Sequence, residues 1–328
     1  RRKSSASTIN YIDCSIDPLA SSIFIVANPF DLDAIAMAPL VPRFHFFEID
    51  DQTWFPSFLR AYVQEGLHAA WVYRVPILQT SSPARVAAQI LQQVLGPRLS
   101  SYTFIDFCAG SGGPTPAIER FVNRHLTAQK QPNVDFVLTD LHPNAEAWAR
   151  AAARSEHIGY ELKSVDAAHA PRDLVDGYTT NGKKVFRLFN LAFHHFDDPL
   201  AKAILKNTLE TSDGFAIMEL QGRDLLSFLM PSILGIGCFI FAPLYAWRLR
   251  SFSVLVFTYL IPIIPFVLVF DGYISALRTR TPNEVEALMK SCGGRTEGWE
   301  FKSGKEMYMP PIGSVRWIVA EKISSRDW

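Results

Sequence analysis

The stretch "FIDFCAGSGG", residues 104–113, decides the fold. An apolar run carrying one acid, Asp106, enters a turn with glycines at 110, 112 and 113. Side chains have been stripped from that turn, so something approaches its backbone closely, and glycine also permits positive φ there. Just before it, "YTFIDF" (102–107) reads as a buried strand. Just after it, "TPAIERFVNRHL" (115–126) reads as a helix.

Working outward, strand and helix patterns alternate. "VDFVLTDL" (134–141), "YELKSVDA" (160–167), "KVFRLFNLAF" (184–193) and "GFAIMEL" (214–220) read as strands. "PNAEAWARAAAR" (143–154), "PLAKAILKNTLE" (199–210) and "TPNEVEALMKSCG" (281–293) read as helices, and two strands near 295–301 and 315–322 follow. This alternation predicts an α/β fold: a Rossmann-like, doubly wound, mostly parallel sheet with a C-terminal antiparallel hairpin. Before it, "FHFFEIDDQTWFPSFLRAYVQEGLHAAW" (44–71) reads as one or two amphipathic helices, with Trp54, Phe55, Phe58, Leu59 and Tyr62 at helical spacing. "SPARVAAQILQQVLG" (82–96) reads as another, capped by Ser82 and ended by Gly96-Pro97. The expected organisation is an N-terminal segment and helical cap over 1–98, then the sheet domain over 99–328, with an apolar helical insertion at 225–272.

The chain has 328 residues, 32 basic and 32 acidic, for a formal net charge of zero. No basic surplus argues for nucleic acid. The cysteines Cys14, Cys108, Cys238 and Cys292 are scattered, so neither a metal site nor a disulfide framework is expected, and a reducing, intracellular setting is. The start, "RRKSSASTIN", has no apolar run directly after it and does not read as a signal peptide. With no initiator Met, the chain reads as trimmed.

In a doubly wound sheet the ligand sits over the carboxyl ends of the strands, where strand order reverses. A dinucleotide wants glycines spaced G-x-G-x-x-G. Here the sixth position is Thr115, and Pro114 and Pro116 remove N–H groups a pyrophosphate would use. Asp106 repels phosphate but suits a cation. A cationic, phosphate-free ligand fits better, and S-adenosylmethionine is one. Asp140, closing the second strand, is placed for ribose hydroxyls. Asp166, closing the third, is placed for an adenine amino group with Ala167 beside the ring. Asn190 stands near the end of the fourth strand.

In these residues the chain resembles the class I S-adenosylmethionine-dependent methyltransferases. The resemblance covers about residues 100–220, and "AFHHFDDP" (192–199) is similar to the fourth-strand loop of small-molecule methyltransferases. More loosely, "DGYISALRTRTPNEVEALM" (271–289) and "FEIDDQTWFPSFLR" (47–60) resemble segments of a subgroup with the same core. The resemblance implies that Asp106, Ala109, Gly110, Gly112, Asp140 and Asp166 line the cofactor site. The sequence departs from the family where Cys108 replaces a glycine and where the Gly112–Asp140 gap is longer.

The candidate catalytic residues are His194, His195 and Glu219. A histidine over the crevice can act as general base near neutral pH, or it can pack and bond locally. Glu219, ending the fifth strand, can hold substrate or pair with Arg223. Glu48, Asp50, Asp51, Trp54 and Arg60 form a polar and aromatic group in an expected lid helix, and Asp271 and Arg278 are expected to pair.

Leu225–Trp247 and Ser251–Phe270 carry no charge. Each is about as long as a membrane-spanning helix, which needs about 20 residues. One reading is a transmembrane hairpin with Arg248 and Arg250 at its turn, which is unfavourable if the sheet domain is cytosolic. The remaining readings are a hairpin dipping into one leaflet, with Trp247, Tyr245 and Tyr259 at the interface, and a buried lid over an apolar substrate. The expectation is an apolar lid that also touches membrane, and a transferase acting on a hydrophobic small molecule or lipid. The rival expectations are an inactive membrane-associated scaffold with the same fold and an NAD(P)-dependent oxidoreductase.

Overall fold

The computed structural model describes residues 39–178 and 182–323. The expected N-terminal segment before residue 39, with Cys14, lies outside them. Strand β1 (Tyr102–Phe107) is buried along its whole length, as its apolar run requires. Alternate side chains point to opposite faces of a strand. Phe104 therefore joins one core layer, stacked on Phe136 at 4.7 Å, while Ile105 and Phe107 join the other.

After β1 come α3 (Thr115–Ala128), β2 (Phe136–Thr139), α4 (Ala145–Ala152), β3 (Ile158–Tyr160), α5 (Arg172–Gly177), β4 (Lys184–Asn190), α6 (Asp198–Thr211) and β5 (Gly214–Glu219). Before it lie α1 (Ser57–Val72) and α2 (Pro83–Leu95). The Ser82 side chain caps α2 by accepting from Arg85 N, as expected. The seven strands run in the order β3-β2-β1-β4-β5-β7-β6. β1 to β5 are parallel, and β7 (Gly313–Lys322) is antiparallel to both β5 and β6 (Trp299–Met309). This is the doubly wound, mostly parallel, Rossmann-like sheet with its C-terminal hairpin. Strand order reverses between β1 and β4, so the ligand crevice opens over their carboxyl ends.

Two elements differ from expectation. β3 covers Ile158–Tyr160 rather than 160–167, because apolar Ile158 pairs with Phe136 while "LKSVD" turns away. Asp166 therefore sits in a loop, not at a strand end. In the 44–71 stretch only α1 is helical, and Pro56 caps its start. Glu48, Asp50, Asp51 and Trp54 lie in irregular chain ahead of it, and Trp54 is exposed.

The insertion forms α7 (Leu225–Leu249), α8 (Ser253–Leu260, ending in a π turn) and α9 (Ile263–Arg278), and α10 (Pro282–Ser291) follows it behind a Thr281–Glu284 capping box. Asp224 caps α7. α7 lies against α9, with Gly272 allowing the approach, since a Cβ there would fall 2.9 Å from Pro231. α1 covers the other side of α9, burying Phe55, Leu59 and Val63 against Ile264, Val267 and Leu268. Among the described residues, α7 is the one helix long and apolar enough to cross a membrane, and α8 with α9 passes as a pair bent by 68°.

Candidate functional site

The glycine turn is held by side chains from other elements. Cys108, Gly110, Gly112 and Gly113 all adopt positive φ, at 61°, 53°, 100° and 46°. That sequence of left-handed residues explains the glycines. Cys108 occupies a conformation that is strained for a side-chain-bearing residue. The Asp140 carboxylate accepts from Gly110 N and from His142 N, both at 2.8 Å, and so staples the β1 turn to the β2 turn. Trp148 Nε1 donates to Gly110 O at 3.0 Å. From α1, Gln64 accepts from Ser111 Oγ at 3.0 Å, and His68 Nδ1 lies 2.9 Å from Gly113 O.

Asp106 points beneath the turn. Its Oδ2 accepts from Thr115 Oγ1 at 2.5 Å and its Oδ1 from Asn190 Nδ2 at 3.3 Å. Burial pushes its carboxyl up to about 7, against the pull of those two donors. Asn190 Nδ2 also reaches Thr115 Oγ1 at 3.1 Å, while its Oδ1 is buried with no hydrogen-bond partner. Buried polar atoms are rarely left so. Ala109, buried, donates its N–H to Thr139 O at 3.0 Å. Although Asp166 does not end a strand, Val165 N donates to Asp140 O at 2.9 Å, which brings the loop back beside the β2 end. Asp166 is half exposed, accepting from Ala168 N and meeting His169 Nδ1 at 2.9 Å. Ala167 is buried beside it. Asp106, Ala109, Gly110, Gly112, Asp140 and Asn190 thus form one group, with Asp166 and Ala167 joined to it through the loop.

The second half of the crevice lies over β4 and β5. His194 is buried, with Nδ1 2.9 Å from Glu219 Oε2 and Nε2 3.7 Å from Glu48 Oε1. Gln221 Nε2 donates to Glu219 Oε2 at 3.2 Å. Gln221 Nε2 also lies 3.3 Å from His194 Nδ1, and the ring's Nε2 faces Glu48. His195, about a third exposed, places Nδ1 3.1 Å from Asp51 Oδ2. Burial lowers its pKa, but Asp51 and Glu48 outweigh burial and push it up to about 9. The pairing with Asp51 thus favours the protonated form of His195. Asp51 in turn is held down at about 2, its partial burial outweighed by His195 and Arg278. Arg278 Nη1 lies 3.1 Å from both Glu48 Oε1 and Asp51 Oδ2.

Two expected pairings are replaced. Arg223 bonds Glu284, not Glu219, because Glu219 is taken by His194 and Gln221. Asp271 and Arg278 do not pair; Asp271 accepts from Ile49 N at 2.7 Å and Asp50 N at 2.9 Å, and Arg278 joins the cluster. Together they pin the 46–51 segment over the crevice. Sequence reasoning placed Glu48 and Asp51 on a lid helix and missed Gln221. The five acidic or basic residues 48, 50, 51, 271 and 278 are visible in the sequence, but Asp51 and Arg278 lie 227 residues apart and Asp51 and His195 144 apart.

Ligand atoms of Glu48, His194 and His195 lie within 4.8 Å of one another, a spacing that could hold a metal ion. The guanidinium of Arg278 already supplies positive charge against the same carboxylate.

No protein-family model and no curated protein matches this chain. Among solved structures it is similar to human N-acetylserotonin methyltransferase in complex with SAM, at 16% identity over 82% of this chain and 66% of that one, with a TM-score of 0.36. It is similar to the plantazolicin methyltransferase BpumL in complex with SAH, at 12% identity over 81% of this chain and 100% of that one, TM-score 0.36. It is also similar to magnesium protoporphyrin IX methyltransferase from Synechocystis PCC 6803 with bound SAM, at 8% identity over 85% and 99%, TM-score 0.40. The Rossmann-like assignment rests on the strand order, not on these likenesses.

Proposed function

We propose that this chain transfers a methyl group from S-adenosylmethionine to a hydrophobic small molecule or lipid. The observation that carries the reading is Asn190 Oδ1, buried and unpartnered beside Asp106 at the glycine turn. It is an acceptor waiting for a donor, next to a carboxylate whose own donors, Thr115 and Asn190, are neutral. A ligand bringing ammonium and sulfonium charge satisfies both. A pyrophosphate satisfies neither, and Pro116 in the first turn of α3 removes an N–H it would use.

In this reading Asn190 and Asp106 hold the cationic end. Asp140 keeps lone pairs beyond the two used by Gly110 and His142, since a carboxylate offers about four acceptor positions. Those serve ribose hydroxyls, and Asp166 with Ala167 serves the adenine edge. When bound, S-adenosylmethionine supplies a methyl group on a positively charged leaving group. Positioning the acceptor supplies much of the rate in such a displacement. Glu219 fixes the His194 ring so that Nε2 can take the acceptor's proton. His195 and Arg278, both cationic, stabilise negative charge left on the acceptor. The apolar helices α1, α7 and α9 beside this cluster support a lipophilic acceptor.

The test is calorimetric titration with S-adenosylmethionine, S-adenosylhomocysteine and NAD. Micromolar binding of the first two and none of NAD is expected, followed by transfer of labelled methyl into organic-soluble extract. Binding of NAD alone would overturn the reading, and binding of none would favour a scaffold that keeps the fold without the reaction.

A further inference from the structure

The long helix α7 packs one face on α9 and leaves the other bare. Leu225, Leu229, Ile236, Ile240, Leu244 and Trp247 recur at intervals of three, four or seven residues, so they fall on one stripe. Each is between 47% and 77% exposed. The helix is 25 residues long, so it extends about 37 Å. Beyond its end, Phe252, Leu260 and Ile261 are also exposed. A soluble monomer seldom shows so long an apolar strip.

Charge and side-chain type identify the occupant. No acid occurs between Leu225 and Phe270. The end of α7 instead gathers the exposed cations Arg248 and Arg250, and Arg248 stacks over Tyr73 from the end of α1, next to exposed Arg74. Trp247 precedes Arg248 in the chain and, like Tyr73, is exposed, with Ile77 almost fully exposed and exposed Tyr259 further along against Phe239. Apolar strip, aromatic rim and arginines together match an anionic bilayer surface. We infer that α7 lies in the plane of one leaflet of an anionic membrane, stripe downward, with Arg248 and Arg250 at the headgroups.

A spanning arrangement conflicts with the packing. α9 returns with Asp271 and Arg278 bonded to residues 46–51, and α1, which covers α9, carries Arg60, Gln64 and Glu65. Those groups need water or protein partners around them. Only one face of α7 remains for lipid. The inference stands apart from the methyl-transfer reading, since it concerns a surface and not the crevice.

The test is flotation of the full chain with vesicles of phosphatidylcholine alone and with about 30% phosphatidylserine. Flotation mainly with the anionic vesicles is expected. Ile240→Ser with Trp247→Ser should reduce it tenfold or more, and Arg248→Gln with Arg250→Gln about fivefold per arginine removed. Circular dichroism should be unchanged in both. Brominated-lipid quenching then compares tryptophans at 229, 240 and 247, introduced as Leu229→Trp and Ile240→Trp in a Trp247→Phe background beside the native Trp247. Equal, shallow depth supports the in-plane helix. Deepest quenching at 240 would mean a span and overturn it. Failure to float with either vesicle would overturn it too, as would a detergent-free dimer abolished by the two serines, which would make a second copy the occupant.

Discussion

The two halves of the crevice are built in opposite ways. Around the glycine turn, acids bind backbone amides and neutral side chains, and the residues concerned cluster between 106 and 190. Over β4 and β5, acids bind charged side chains, and Glu48, His194, Glu219 and Arg278 come from four distant parts of the chain. The first half is a fixed frame that offers unsatisfied acceptors. The second is a charged group in which Glu48 and Asp51 face Arg278 and His195, while Glu219 holds the His194 ring. A frame suits holding a cofactor, and a charged group suits moving a proton.

Substitutions should separate the halves. The largest effect is expected from His194→Ala, which should lower methyl transfer by about 10²- to 10⁴-fold while cofactor affinity changes less than twofold. Radiolabel transfer beside calorimetry measures both, and a parallel loss of cofactor binding would break the division. Arg278→Met leaves Glu48 facing His194 without its partner inside the protein. Breaking a buried pair costs about 3–5 kcal/mol, which urea unfolding should show as a lower midpoint at unchanged slope.

On the frame side, Asp106→Ala should weaken S-adenosylmethionine by tenfold or more, about 1.4 kcal/mol. Because burial raises this carboxyl to about 7, its ionised form is scarce in acid. A cationic ligand favours that form, so affinity should climb as pH rises toward 7 and level off above it. Asp106→Asn should flatten that profile, and a profile unchanged by the substitution would detach the acid from the cofactor.

On the charged side, the sign is reversed. His195 is raised above its ordinary value to about 9 by Asp51 and Glu48, against burial. Its protonated form stabilises the fold in full below pH 6.5, and that contribution is lost as pH rises through 9. The slope cannot exceed about 1.4 kcal/mol per pH unit for one proton. His195→Asn should remove it from stability curves measured between pH 6.5 and 9.5. The smallest effect is expected at Cys108, where glycine relieves about 1–2 kcal/mol of left-handed strain but brings back about 0.5–1 kcal/mol of chain freedom. Cys108→Gly should therefore stabilise by between zero and about 1.5 kcal/mol in thermal unfolding.

The same contrast governs what could be read from the sequence. β1, α3, β4, α6 and β5 follow from local patterns, since each carries its own apolar run or period, and α6 adds the Asp197 cap. The frame was legible because its glycines, Asp106 and Asp140 sit at element ends. β3 was displaced because three residues pair where "YELKSVDA" merely alternates, and partner strands decide such cases. The charged half was only partly legible. Glu219 has two basic candidates nearby in sequence, yet its partner is fixed by β4 and β5 lying side by side. Glu48 and Asp51 looked like helical surface acids, because nothing local shows that Arg278 will arrive beside them.

The strand order carries a last consequence, for the chain as it is made. β5 pairs on one side with β4, but its other neighbour, β7, is roughly 90 residues further on, past the whole apolar hairpin. At ~5–20 residues per second, the ribosome needs roughly 5–20 s to supply it. Throughout that interval the nascent chain shows an unpaired strand edge beside its most water-averse helices. The edge that β7 finally covers is thus the last part of the sheet to be protected, after the most apolar helices have already been made.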